Sequence, residues 1–94
     1  MQAAQPNPSW MRVVSTTQLP AVSTEITVGG VYLFNAGSGA VCQVQISGSA
    51  IGSVPNAATA AFTLGAGQST WAQYVAAGQF IRCDSSSGTF SLLQ

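Results

Sequence analysis

The residues able to do acid–base or nucleophilic chemistry are few: Cys42, Cys83, Arg12, Arg82, Glu25 and Asp84, beside twelve serines and with neither histidine nor lysine anywhere. A serine nucleophile needs a base next to it, normally histidine, so the serines read as turn and surface residues. Arg82 precedes Cys83, yet neighbours on a strand point to opposite faces, and the guanidinium is not expected to activate that thiol. Glu25 and Asp84 fall in different strand regions, a poor arrangement for two carboxylates flanking one glycosidic bond. Calcium wants six or more oxygens, usually from several carboxylates, and zinc would have to recruit both cysteines and both acids. Neither the Gly37/Gly39 pair nor the Gly65/Gly67 pair opens a helix, so no phosphate-cradling loop is present. The expectation is a protein that is not an enzyme and carries no metal or cofactor. Arg82 and Asp84, two apart on one face, are expected to pair as ions at a rim.

For Cys42 and Cys83 two alternatives stay open. They can form one cross-sheet disulfide, or remain two buried free thiols that pack as small hydrophobes. A C-x-x-C redox pair is absent.

The rest of the composition narrows the partners. Only 4% of the 94 residues are charged and the net charge is zero, against about a quarter charged in an ordinary soluble domain. Such a surface lacks the repulsion that keeps proteins apart, which suits a subunit of a crowded assembly. Two arginines balanced by two acids cannot neutralise phosphates, so nucleic acid is excluded as a partner. No run approaches the length of a membrane span. The amino end, MQAAQPNPSW, has no basic region followed by an apolar one, so a location outside the cell is expected to be reached by assembly or lysis.

The elements that must position these residues are strands. Ile26 to Ser47 reads ITVGGVYLFNAGSGAVCQVQIS, apolar runs separated by glycines and ending in strict alternation. Cys42, Val44 and Ile46 face one way, Gln43, Gln45 and Ser47 the other, as in a strand with one buried face. The links Gly29-Gly30 and Ala36 to Gly39 are short enough to return the chain as hairpins. Further strands are expected at Trp10 to Thr16, Thr24 to Val28, Val31 to Asn35, Thr59 to Leu64, Gln68 to Val75, Gln79 to Cys83 and Thr89 to Leu93. The irregular stretch Gly48 to Ala58 is expected to cross between two sheets. The fold class is therefore all-β, a small β-sandwich or jelly roll of about eight short antiparallel strands. Residues 1–9, with Pro6 and Pro8, read as a flexible arm, and residues 10–94 as one domain.

Four amphipathic aromatics, Trp10, Tyr32, Trp71 and Tyr74, are the interface candidates, since buried Trp and Tyr dominate many protein contacts; core packing is the other reading of both tryptophans. From Ile26 to Leu93, through ITVGGVYLFNAGSGAVCQVQI and FTLGAGQSTWAQYVAAGQFIRCDSSSG, the chain resembles small β-rich accessory proteins of tailed-bacteriophage virions, the capsid decoration or cement proteins and the modules of head fibres and tails. The resemblance implies a virion location, homo-oligomers that are often trimers, capsid or other virion proteins as partners, and a role in binding and stabilising the shell. It also implies that the arm can lie on the capsid surface. The alternative expectation is a carbohydrate- or receptor-binding module of a fibre or tail, using Trp71 and Tyr74 against a glycan.

Overall fold

The computed structural model describes residues 12–37, 41–70, 73–84 and 88–94. Eight strands follow one another: β1 (Val13–Gln18), β2 (Thr24–Glu25), β3 (Gly30–Asn35), β4 (Cys42–Ser47), β5 (Phe62–Leu64), β6 (Gln73–Val75), β7 (Phe80–Cys83) and β8 (Thr89–Leu93). They form two four-stranded sheets, ordered β1-β8-β3-β6 and β2-β7-β4-β5, with every pairing antiparallel.

The pairings follow one rule. β1 pairs with β8, β2 with β7, β3 with β6 and β4 with β5. The chain is thus folded in half into an antiparallel double ribbon whose closed end is β4–β5. Rolling that ribbon sends alternate segments to opposite sheets and creates the two remaining pairings, β8 with β3 and β7 with β4. This is the jelly-roll order, one of the two architectures expected from the short strands and glycine turns.

The topology corrects three local expectations. Gly29-Gly30 and the link after Asn35 do not close hairpins, because β2 and β3, and likewise β3 and β4, lie in opposite sheets. Both edges of β3 are already taken, by β8 and β6, so β4 has no place beside it. The chain instead steps across the end of the sandwich through Ala36, which is fully buried. The long stretch after β4 does the reverse of what was expected: β4 and β5 are neighbours in one sheet, so it returns the chain without crossing.

The core lies between the sheets, and the period-two alternation decides which residues enter it. β3 contributes Tyr32 and Phe34, β4 contributes Cys42 and Val44, and β7 contributes Ile81 and Cys83. Phe34 is the pivot. It stacks on its cross-strand partner Phe90 (centroids 5.9 Å apart, planes at 18°) and meets Phe62 of the other sheet at 5.1 Å and 58°. Offset and tilted pairs of this kind add to the free energy of burial alone.

Two turns share one design. At Gly65–Gln68 and at Ala76–Gln79 the last residue's N–H donates to the first residue's carbonyl, at 2.9 and 3.1 Å. The third position is a glycine with positive φ, Gly67 at 75° and Gly78 at 92°, as a type II turn requires. In each, the glutamine side chain reaches back and its Oε1 accepts the N–H of the first residue, at 2.7 and 2.8 Å. Uncharged glutamine thereby satisfies turn amides that would otherwise depend on water.

Candidate functional site

Two surface features stand out once the strands are in place: an outer strand and a cleft. β1 is the outermost strand of its sheet and is exposed at every residue, on both faces. Its inner edge pairs with β8, reinforced by a 3.0 Å hydrogen bond between the Thr16 and Ser91 hydroxyls and by reciprocal backbone bonds between Arg12 and Gln94. A register shift at Val14 bulges the start of the strand. Beyond the bulge, Ser15, Thr16 and Thr17 run without charge or proline, and among the described residues no strand pairs with their outer side. Lysine, proline and inward-pointing charge are the usual guards against edge-to-edge association; Ser15 to Thr17 has none of them. Val13 and Val14, both exposed, add apolar surface at its start.

The cleft lies on the other sheet. The outward face of β4, carrying Gln45 and Ser47, forms one wall, and the stretch between β4 and β5 forms the other; the volume is about 460 Å³. Three contacts hold that stretch at Ile51. Its side chain is buried, its N–H donates to Ser23 Oγ at 2.8 Å, and its carbonyl accepts from Arg82 Nη1 at 3.1 Å. Farther along, Asn56 Oδ1 accepts the N–H groups of Ala58 and Thr59, at 2.9 and 3.2 Å. This is the side-chain-to-backbone capping that favours asparagine in turns.

The residues singled out by sequence fall in different places. Trp10 and Trp71 lie outside the described residues, as does the expected arm over residues 1–9. Tyr32 is a core residue whose hydroxyl donates to the Val28 carbonyl, and burial pushes its phenol above the ordinary value. Tyr74 is 70% exposed on the outer strand β6, so of the described aromatic candidates it is the one a partner can reach. Cys42 and Cys83 are both buried, on the paired strands β4 and β7.

Arg82 and Asp84 each engage a different backbone. Arg82 holds Ile51, whereas Asp84 Oδ1 accepts the Gln43 N–H at 3.0 Å and extends the β4–β7 ladder past its last pair. The ion pair expected from their spacing is not among the described contacts. Glu25 sits on β2 opposite Phe80, which lies two residues from Arg82 and four from Asp84, and no ion pair of it occurs among the described contacts. Among the described residues no group of three or more Cys, Asp or Glu side chains could hold a metal ion, and no helix is long and apolar enough to cross a membrane.

Sequence reasoning missed the cleft. The alternation that turned Gln43, Gln45 and Ser47 to one side of β4 marked a polar face, and the Asn56-x-x-Thr59 spacing is a capping signal. The Ser23 and Arg82 anchors stand 28 and 31 residues from Ile51 and had no local signature. No protein-family model, curated protein or solved structure matches the chain, so its rolled eight-strand order and the two surface features are what any functional reading has to build on.

Proposed function

We propose that this domain is a non-enzymatic structural protein of a virion, binding capsid subunits and copies of itself through apolar and backbone contacts and so stabilising the shell. The observation that carries the reading is β1, a six-residue outer strand exposed on both faces and free of charge. A strand of that kind offers backbone donors and acceptors for pairing with another chain. The near absence of charge over the whole chain supports a surface made for contact more than for free solution. Jelly rolls recur in capsid proteins and in lectins, an architecture in keeping with the reading.

The test is the mass of the purified chain by light scattering over a range of protein concentration. A stable closed oligomer supports the reading and leads to mixing with capsids in search of a symmetric footprint. A monomer at every concentration counts against it. Since the contacts are uncharged, the association is expected to vary little with salt.

A second reading, a glycan- or receptor-binding module of a fibre or tail, is favoured by one observation, the exposed Tyr74 on an outer strand. It predicts glycan affinity that is lost in Tyr74→Ala.

A further inference from the structure

We propose that the cleft between β4 and the β4–β5 connection binds a neutral polyhydroxylated ligand, a saccharide of one or two rings. The inference stands apart from both readings above, since it uses neither β1 nor Tyr74.

Its volume of about 460 Å³ falls within the roughly 300–1,000 Å³ of small-ligand sites. Its polar wall is made by Gln45, Ser47, Ser49, Ser53, Asn56 and Thr59, hydrogen-bonding side chains of which none is charged. Arg82, the nearest cation by register (it faces Gln45 across the β4–β7 pair), commits Nη1 to the Ile51 carbonyl. Arg82 keeps its charge in that bond but does not line the cleft, so an anionic ligand would find no ion-pair partner on its walls. An apolar ligand would strip water from this row of amides and hydroxyls and return no hydrogen bonds.

The bonds that shape the cleft select for hydroxyls. Asn56 spends its Oδ1 on the Ala58 and Thr59 amides, which leaves its NH₂ as a donor. Ser47 Oγ accepts from the Ser49 N–H at 3.2 Å and keeps its own O–H to donate. Gln45 brings both a donor and an acceptor, and no hydrogen bond of its side chain occurs among the described residues. A sugar hydroxyl donates and accepts at once and can answer all three. The Ile51 clamp holds the wall in place before any ligand arrives, so little ordering cost is left to binding.

The experiment is an NMR titration of the isotope-labelled full chain with glucose, galactose, N-acetylglucosamine and maltose, with sialic acid and a sugar phosphate as charged comparators. The proposal expects saturable shifts at the amides of Ser47, Ser49 and residues 51–54 from at least one neutral sugar, with millimolar dissociation constants. Gln45→Val should weaken that binding about tenfold, the equivalent of one good hydrogen bond. Ser47→Ala, a smaller change, should weaken it in the same direction, and Tyr74→Ala should leave it unchanged. Absence of saturation by every neutral sugar up to about 50 mM, stronger binding of the charged comparators, or unchanged affinity in both β4 variants would overturn the proposal. Shifts centred on Tyr74 would overturn it while supporting the glycan-module reading, and none of these outcomes bears on the oligomer measured by light scattering.

Discussion

Arg82 and Ile51 are joined across 31 residues of sequence by a single 3.1 Å hydrogen bond from a guanidinium to a main-chain carbonyl. One of only four charged side chains in the protein, half-buried on β7, is thus used to fasten a connection.

Replacing that arginine tests the clamp. Arg82→Met keeps most of the aliphatic stem and removes the donor. A hydrogen bond to a charged group contributes about 1.5–3 kcal/mol. Part of that is offset because Arg82 Nε is buried with no partner among the described residues, and the variant no longer buries it. The expected loss is about 1 kcal/mol by urea unfolding, with faster hydrogen exchange at the Ile51 amide. Unchanged exchange there would mean that Ser23 and the buried Ile51 side chain hold the connection without Arg82.

The outer strand can be guarded by design. Ser15→Lys with Thr17→Lys places two charges on one exposed face of β1, the device by which natural edges avoid pairing. Both positions are exposed, so folding stability should move by less than about 0.5 kcal/mol. Light scattering should show weaker self-association than the parent chain. Association of undiminished strength, in a variant with an unaltered circular dichroism spectrum, would show that copies meet elsewhere.

Two glycines give opposite expectations for the same substitution. A Cβ at Gly88 would lie 2.4 Å from the Asn35 carbonyl oxygen and 2.8 Å from Leu19 Cδ1, whereas one at Gly52 meets nothing within 4 Å. Gly88→Ala should therefore cost about 1–3 kcal/mol, as overpacking does. Gly52→Ala should be neutral or slightly stabilising. Thermal unfolding of the two variants side by side decides the matter, and equal melting temperatures would refute the close approach at Gly88.

Alkaline pH should weaken the fold through Tyr32. Burial raises its folded-state pKa above the value of 10.0 taken for the open chain. Between the two values the unfolded chain has lost the phenolic proton and the folded chain retains it, so stability falls as pH rises. The loss begins near pH 10 and levels off above the folded-state pKa. Tyr32→Phe should flatten that part of the profile in urea titrations at several alkaline pH values, and an unaltered slope would assign the loss to another group.

Much of this architecture was legible in the residues. β4 and β8 appear residue for residue where they were expected, at Cys42–Ser47 and Thr89–Leu93, β4 because it sets apolar side chains at every second position and β8 because Phe90 and Leu92 fall on one side after a Ser-Gly run in the sequence. β5 proved shorter than the expected Thr59 to Leu64, since Thr59 belongs to the turn capped by Asn56. β2 proved shorter too, as Ile26 gives its backbone to the Gly78 and Gln79 amide and carbonyl and not to a strand partner. The partner of each strand was the illegible part. A glycine link looks the same whether it turns beside the previous strand or steps over to the facing sheet; what decides is whether the neighbouring edge is free, and for β3 that depends on β8, more than fifty residues away. The cleft escaped for the same reason, since Ser23 and Arg82 make sense as anchors only after rolling has brought them to Ile51.

The doubled-over ribbon also sets an order of assembly. Its closed end brings Gln43 and Thr63 together across 20 residues, while its open end must bring Thr16 to Ser91 across 75. Closing the longer span from an open chain costs about 1 kcal/mol more entropy than closing the shorter, and each inner pairing, once made, shortens the span left for the next. Loop entropy therefore favours pairing from the middle outward, β4–β5 before β1–β8, and hydrogen exchange is expected to show the β1 amides opening first. If β1 is the strand by which copies pair, as proposed, the pairing would engage a strand whose six residues are all exposed and lie outside the buried core.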